Sequence, residues 1–218
     1  MKVKLLICDL DGTLIDSVAD ISAAVSYALA TYNIPPVTIE ETKACVGEGI
    51  STLVEKILSL KEITVPDRES LVQRVLEYYT AHPVTNTKPY PGVRETLASL
   101  VACKKAVISN KLTNLSQGIL RDLDLLKYFD IVAGADSSPE RKPSPVPIFR
   151  ALSLLHVLPP EALMVGDSIF DMVAGRAAGV KTVAVTYGYG KPGFSDGCDY
   201  VIDRFSQLLE IVEGIKIS

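Results

Sequence analysis

Six short apolar runs, most of them separated by segments of helical periodicity, constrain this chain more than any other feature. They are Val3 to Cys8, Ala106 to Ile108, Phe129 to Ala133, Ala162 to Val165, Lys181 to Val185 and Tyr200 to Ile202. Runs this short, bounded by Asp, Ser, Asn or Gly, read as strands buried on both faces. Between them, apolar residues recur at helical spacing, as in Val93, Leu97 and Leu100, then Leu115, Ile119, Leu120 and Leu123. Further helices are predicted over Pro143 to Leu155, after Asp167 as far as Ala178, and around Leu208, Leu209 and Val212. Strands that alternate with helices predict an α/β fold: a doubly wound, Rossmann-like parallel sheet with helices on both faces.

One stretch interrupts the alternation. Between the first and second strands, residues 16–87 contain no strong strand signal. Ser17 and Asp20 fit a helix-capping pattern, and Val18, Ile21, Val25, Ala28, Leu29 and Tyr32 come after them at helical spacing. Pro35 and Pro36 stop that helix, Thr38 caps a second, and Gly47-Glu48-Gly49 separates the second from a third. Asp67 opens a fourth, carrying Leu71, Val75 and Tyr79. The expectation is a catalytic core of residues 1–15 and 88–218, with a helical cap domain of residues 16–87 inserted into it.

Composition excludes several functions. The net charge is −4, and no long basic run or aromatic-rich segment marks a nucleic-acid surface. The apolar start at Val3 is too short for a signal peptide and Asp9 ends it, and no run has the length of a membrane span. Cys8, Cys45, Cys103 and Cys198 are scattered and read as free thiols. Together these predict a cytoplasmic protein without nucleic-acid or membrane partners, monomeric or homodimeric. His82 and His156 lie outside any motif and are read as non-catalytic.

Ligands of open parallel sheets bind beyond the carboxyl ends of the strands. The first strand ends there in Asp9-Leu10-Asp11-Gly12-Thr13, the second in Ser109-Asn110, and the run at Ala162 in Gly166-Asp167-Ser168, with Asp171 one helical turn on. A loop between them carries Arg141-Lys142-Pro143. Alone, each residue has a plain alternative: turn acids, a helix cap, a solvated lysine. Together they bring several carboxylates, a hydroxyl and an ammonium to one place. Crowded carboxylates repel one another, and an oxygen-rich site open to solvent suits Mg²⁺. Lysine and serine suit phosphate oxygens, and an aspartate can attack phosphorus.

The four segments resemble, in order, the four motifs of the haloacid dehalogenase superfamily of aspartate-nucleophile phosphohydrolases: Asp9 to Leu14, Ile108 to Lys111, Lys142, and Gly166 to Asp171. The resemblance implies Asp9 as nucleophile and Asp11 as general acid and then general base. It implies Ser109 and Lys142 as catalytic grips on the phosphoryl group, with Gly12, Thr13 and Asn110 also binding substrate. Mg²⁺ would be held by the Asp9 carboxylate, the Asp11 backbone carbonyl and Asp167, with Asp171 behind them. The helical insert resembles the cap of the phosphoglycolate phosphatase group, where Gly47, Glu48 and Gly49 would meet the substrate's non-phosphate end, with Lys43 nearby. That implies a small phosphorylated metabolite as substrate, 2-phosphoglycolate first, with pyrophosphate, sugar phosphates or phosphoglucomutase-type transfer as alternatives, and a silent phospho-ligand binder as a remote one.

Overall fold

The computed structural model describes residues 3–214. In chain order the elements begin with β1 (Leu5–Cys8), a two-residue strand β2 (Ile15–Asp16), and helices α1 (Val18–Ala30), α2 (Ile39–Cys45), α3 (Ile50–Leu60) and α4 (Arg68–Ala81). A second two-residue strand β3 (Lys88–Pro89) precedes α5 (Val93–Ser99), β4 (Lys104–Ile108), α6 (Thr113–Asp122) and β5 (Ile131–Ala133). The remainder is α7 (Val146–Leu155), β6 (Ala162–Gly166), α8 (Ile169–Ala177), β7 (Lys181–Val185), β8 (Tyr200–Ile202) and α9 (Leu208–Glu213).

The chain divides into two compact units, Met1–Asp16 with Pro89–Ser218, and Ser17–Lys88. The first is the α/β unit. Its six strands run parallel in the order β5-β4-β1-β6-β7-β8. Every residue of β1 is buried, because β1 lies between β4 and β6 and both sheet faces are covered. Leu5 and Ile7 share one face with Ala106, Ile108, Ala162 and Met164, under Ile148, Ala151 and Leu152 of α7 and Ala174 of α8. In register, Cys8 stands opposite Val107 on one side and Val165 on the other. The residues just beyond these three strands therefore leave the sheet side by side. Connections turn one way from β1 to β4 and the other way to β6, so the crevice opens at β1.

The second unit carries the four helices α1 to α4, and α1, α3 and α4 each bury an apolar stripe. Val18, Ile21, Val25, Ala28 and Leu29 of α1 are buried, as are Leu53, Val54 and Ile57 of α3 and Leu71, Val75 and Tyr79 of α4. Thr38 and Glu41 close a reciprocal capping box on α2, and Asp67 caps α4 through the Ser70 amide. Among the described residues no helix is long and apolar enough to cross a membrane.

Several boundaries differ from the sequence reading, each for a local reason. The boundary between units falls one residue later at both ends, because Asp16 accepts a hydrogen bond from the Tyr189 hydroxyl (2.7 Å) within the α/β unit. Phe129 is outside β5: its amide closes a 3₁₀ turn onto the Leu126 carbonyl, and the sheet ladder starts at Asp130. The helix expected from Pro143 starts at Val146, after Pro145. Thr31 ends α1, so Tyr32 is outside it.

The largest correction concerns Asp20. It does not cap α1. Its carboxylate instead accepts the backbone amides of Thr85, Asn86 and Thr87, the Asn86 side-chain amide and the Thr87 hydroxyl, at 2.7–3.0 Å. A helical position can face a neighbouring strand of chain as easily as its own first turn, and here three consecutive amides outcompete the single cap.

Candidate active site

The strand ends carry the site. The Asp9 amide continues the ladder by donating to the Val165 carbonyl (2.9 Å), which fixes the residue at the very edge of the sheet. Leu10 then turns into the core and is fully buried. The Leu14 and Ile15 amides return to its carbonyl, closing a tight loop over Asp11 to Thr13. Gly12 adopts φ 81°, and a β-carbon built there would run into the Asp167 carboxylate. Only glycine provides both the left-handed backbone and the room.

Three carboxylates converge: oxygens of Asp9, Asp167 and Asp171 all lie within 4.8 Å of one another. Lys142 reaches into the cluster, its Nζ 2.8 Å from Asp9 Oδ1 and 2.6 Å from Asp171 Oδ1. Asp171 is held in turn by the Ser168 amide and hydroxyl, in a capping box that begins α8. Asp167 accepts the Thr13 hydroxyl (3.1 Å) and the Tyr189 amide (2.7 Å). One ammonium does not offset this much buried negative charge. Burial pushes the Asp9 carboxyl up to about 7; Lys142 opposes the rise, while Asp171 and Asp11 add to it. Asp167 is raised well above the usual carboxylate range by burial and by Asp9 and Asp171. Burial alone would lower Lys142, but Asp171 and Asp9 outweigh it and hold the ammonium charged.

Most of the other residues expected at the site also belong to the α/β unit. Ser109 is nearly buried after β4, its amide on the Ala133 carbonyl and its hydroxyl accepting the Lys111 amide (3.2 Å). Asn110 donates its side-chain amide to the Lys142 carbonyl (3.0 Å), so it steadies the loop that delivers Lys142. The Asp11 carboxylate stands apart from the three-acid cluster and pairs with Lys111, 2.8 Å away. Thr13, expected to bind substrate, is fully buried, and its hydroxyl donates to Asp167. In the helical unit Gly47 and Gly49 have φ of 121° and 84°, and Gly49 is the N-cap residue of α3. Glu48 between them is ion-paired with Lys56, which neutralises the acid in that loop.

A family model described as haloacid dehalogenase-like hydrolase matches residues 6–185. The chain belongs to this family. A phosphoglycolate phosphatase of Aquifex aeolicus is 38% identical over 214 residues, covering 97% of this chain and 98% of that protein. One from Nitrosospira multiformis is 33% identical over 220 residues, covering 98% and 97%. A crystal structure described as a predicted phosphoglycolate phosphatase from Haemophilus somnus superposes with a TM-score of 0.92 at 29% identity, covering 97% of this chain and 98% of that one.

Two groups of residues in this haloacid dehalogenase-like hydrolase escape the sequence reading. Lys111 is visible beside Ser109 and Asn110, but nothing local tells that its partner is Asp11, 100 positions away. The Tyr187-Gly188-Tyr189 loop after β7 belongs to none of the four motifs. Its Tyr189 amide holds Asp167, the Tyr187 hydroxyl donates to the Thr13 carbonyl (2.9 Å), and Gly188 leaves no room for a β-carbon beside Asp167. The available signal is a glycine flanked by aromatics at the end of an apolar strand.

Proposed function

We propose that this chain is a Mg²⁺-dependent phosphatase that hydrolyses a small phosphate monoester, 2-phosphoglycolate in the first place, through an aspartyl-phosphate. The observation that carries the reading is the Lys142 ammonium between Asp9 and Asp171 at 2.8 and 2.6 Å, with Asp167 beside them. A nucleophilic carboxylate must stay ionised and must tolerate an incoming dianion, and both requirements call for concentrated positive charge. The substrate follows the names of the similar phosphatases from Aquifex aeolicus and Nitrosospira multiformis.

The donor set fits a hard divalent cation. It is all oxygen, and three carboxylates lie within 4.8 Å, with burial first, and the charge of neighbouring carboxylates second, raising Asp9 and Asp167. Asp9, Asp167 and the Asp11 carbonyl would hold the ion, with Asp171 steadying the cluster through Lys142. When bound, it would neutralise charge on the phosphoryl oxygens and on the acid cluster.

The protein's own groups divide the rest of the reaction. One Asp9 oxygen attacks phosphorus as the ester P–O bond breaks, and Asp11 gives its proton to the departing alkoxide. Asp11 then takes a proton from water, which attacks the acyl phosphate. The Asp9 carboxylate is regenerated and inorganic phosphate leaves. Ser109 and Lys142 hold the phosphoryl oxygens through both steps. Asn110, Gly12 and the Tyr187–Tyr189 loop keep these groups in place. Gly47, Glu48 and Gly49 are proposed to bind the substrate's non-phosphate end.

Phosphate release from a panel of esters, pyrophosphate and sugar phosphates, with and without Mg²⁺, tests the reading. The expected result is Mg²⁺-dependent turnover with 2-phosphoglycolate preferred, and hydroxylamine trapping of an acyl phosphate in the wild-type chain. Turnover that ignores Mg²⁺, or none on any monoester, would sink it.

A further inference from the structure

Two lysines with largely buried side chains stand at the site, and the reaction above uses only one. Lys142 is committed to Asp9 and Asp171 on the phosphoryl side. Lys111 sits on the other side, its ammonium against Asp11, the group that faces the leaving alcohol. Its side chain is only 8% exposed, so it is no solvated loop lysine. The backbone is built to put it there. Its amide donates to Ser109 Oγ (3.2 Å) and its carbonyl accepts the Ala135 amide (2.9 Å). A β-carbon on Gly134 would collide with that carbonyl, so the chain passes at closest approach.

We infer that Lys111 is a specificity residue: it recognises an anionic group, a carboxylate, on the alcohol part of the substrate. The inference rests on the phosphatase reading above and deepens it by assigning the leaving-group end of the same site. Geometry sets the distance. A general acid stands about 2.7 Å from the bridging oxygen it protonates. Lys111 Nζ is 2.8 Å from Asp11 Oδ1, so with Oδ1 facing the ester the ammonium is at most about 5.5 Å from that oxygen. A carboxylate one methylene from the bridging oxygen places its own oxygens about 3 Å from it. With the bridging oxygen, Asp11 Oδ1 and Lys111 Nζ bent at Oδ1 rather than in line, one of these oxygens reaches toward Lys111 on the side away from Asp11. The remaining gap is one charge-assisted hydrogen bond.

The charge pattern points the same way. A neutral alcohol leaving next to Asp11 needs no second cation. An acidic alcohol does, because Asp11 would otherwise meet it as a like charge. Ser109 and Lys111 would then read the two ends of a short substrate from one tight turn. The ester and the carboxylate must be close together, which selects small phospho-acids over long ones.

The test compares 2-phosphoglycolate with its neutral amide, 2-phosphoglycolamide, on wild-type enzyme and on Lys111→Met, with Mg²⁺ saturating. The wild type should prefer the acid. Lys111→Met should lower kcat/KM for the acid about 10- to 100-fold more than for the amide, chiefly through KM, as loss of one charged hydrogen bond predicts. Lys111→Arg should recover part of the preference. Equal losses on both esters would overturn the inference, because Lys111 would then act only by holding Asp11. Should Lys111→Met fail to fold, Lys111→Gln and Lys111→Arg are compared on the same pair, and the same preference in both overturns it. A wild type that hydrolyses neither ester but releases phosphate from others in the panel overturns this inference and leaves the phosphatase standing; one that hydrolyses no monoester sinks both. A wild type that hydrolyses the amide as well as the acid leaves the phosphatase standing and removes Lys111 as a reader of charge.

Discussion

Two buried carboxylate sites in this chain are built on opposite plans. In the helical unit, Asp20 is 2% exposed and has no cation among its partners described above; five neutral donors from residues 85–87 surround it. Burial pushes its pKa up, but the Thr87 and Asn86 hydrogen bonds win, and the carboxyl lies below its ordinary value. In the α/β unit, Asp9 and Asp167 share few donors and one ammonium with Asp171, and their carboxyls lie above the ordinary range. The contrast shows what each is for. Asp20 is complete as it stands and serves to tie the start of α1 to the returning chain. The Asp9 cluster sets three carboxylates against one ammonium, the arrangement that the proposed Mg²⁺ would answer.

Four measurements would break or sharpen that contrast. The largest effect belongs to the Asp9 cluster. Asp9→Asn should lower phosphate release by on the order of 10⁴-fold or more and abolish hydroxylamine-trappable acyl phosphate. Turnover surviving this change would remove Asp9 from the chemistry.

Next, Asp20→Asn should cost about 3–4 kcal/mol of unfolding free energy in urea, because an amide oxygen cannot accept five donors and its NH₂ faces other N–H groups. The deficit also has a pH signature. Asp20 has a depressed pKa, so its stabilisation is present above the unfolded value near about 3.9 and fades as pH falls through the folded one. The gap between wild type and Asp20→Asn should therefore narrow below about pH 4. A gap that persists undiminished well below that pH would mean that packing, not charge, explains the loss.

A smaller effect should follow from saturating the acid cluster. Mg²⁺ at about 100 times its dissociation constant should stabilise the wild type by about 2.7 kcal/mol in a thermal melt, and Asp167→Asn should remove most of that gain. No such gain should reach the Asp20 site. Smallest, Thr87→Val deletes one hydroxyl donor of five and should cost about 1 kcal/mol, with phosphate release per folded molecule unchanged. A loss as large as that of Asp20→Asn would show that the donors act as a unit.

These two sites are not equally legible in the sequence. The strand-end acids are, because apolar runs such as Leu5–Cys8 and Ala162–Gly166 mark where a parallel sheet ends, and the residues just after each run must lie at the sheet's edge. The pairing of Asp20 is not. Ser17 and Asp20 have the spacing of a capping box, and local pattern cannot show that residues 85–87 will arrive with better donors. Lys111 and Tyr189 escape for the same reason: their partners Asp11 and Asp167 are 100 and 22 positions away. Phe129 shows the converse limit, since a strand-like residue is claimed by a 3₁₀ turn from the residues just before it. Periodicity reports which face a residue takes, and partners across a fold are set by topology.

The central place of β1 has a consequence for synthesis. Both neighbours of Leu5–Cys8 come from far downstream, β4 beginning at Lys104 and β6 at Ala162. At translation rates of about 5–20 residues per second, the 96 residues from Cys8 to Lys104 take roughly 5–20 s to make. Throughout that interval the nascent chain carries a wholly apolar strand without either native partner, while the helices α1 to α4 emerge after it. The ribosome thus delivers β1 first, the helical unit next and the strands that flank β1 last, and the window for a chaperone to hold Leu5–Cys8 is written into the order of the gene.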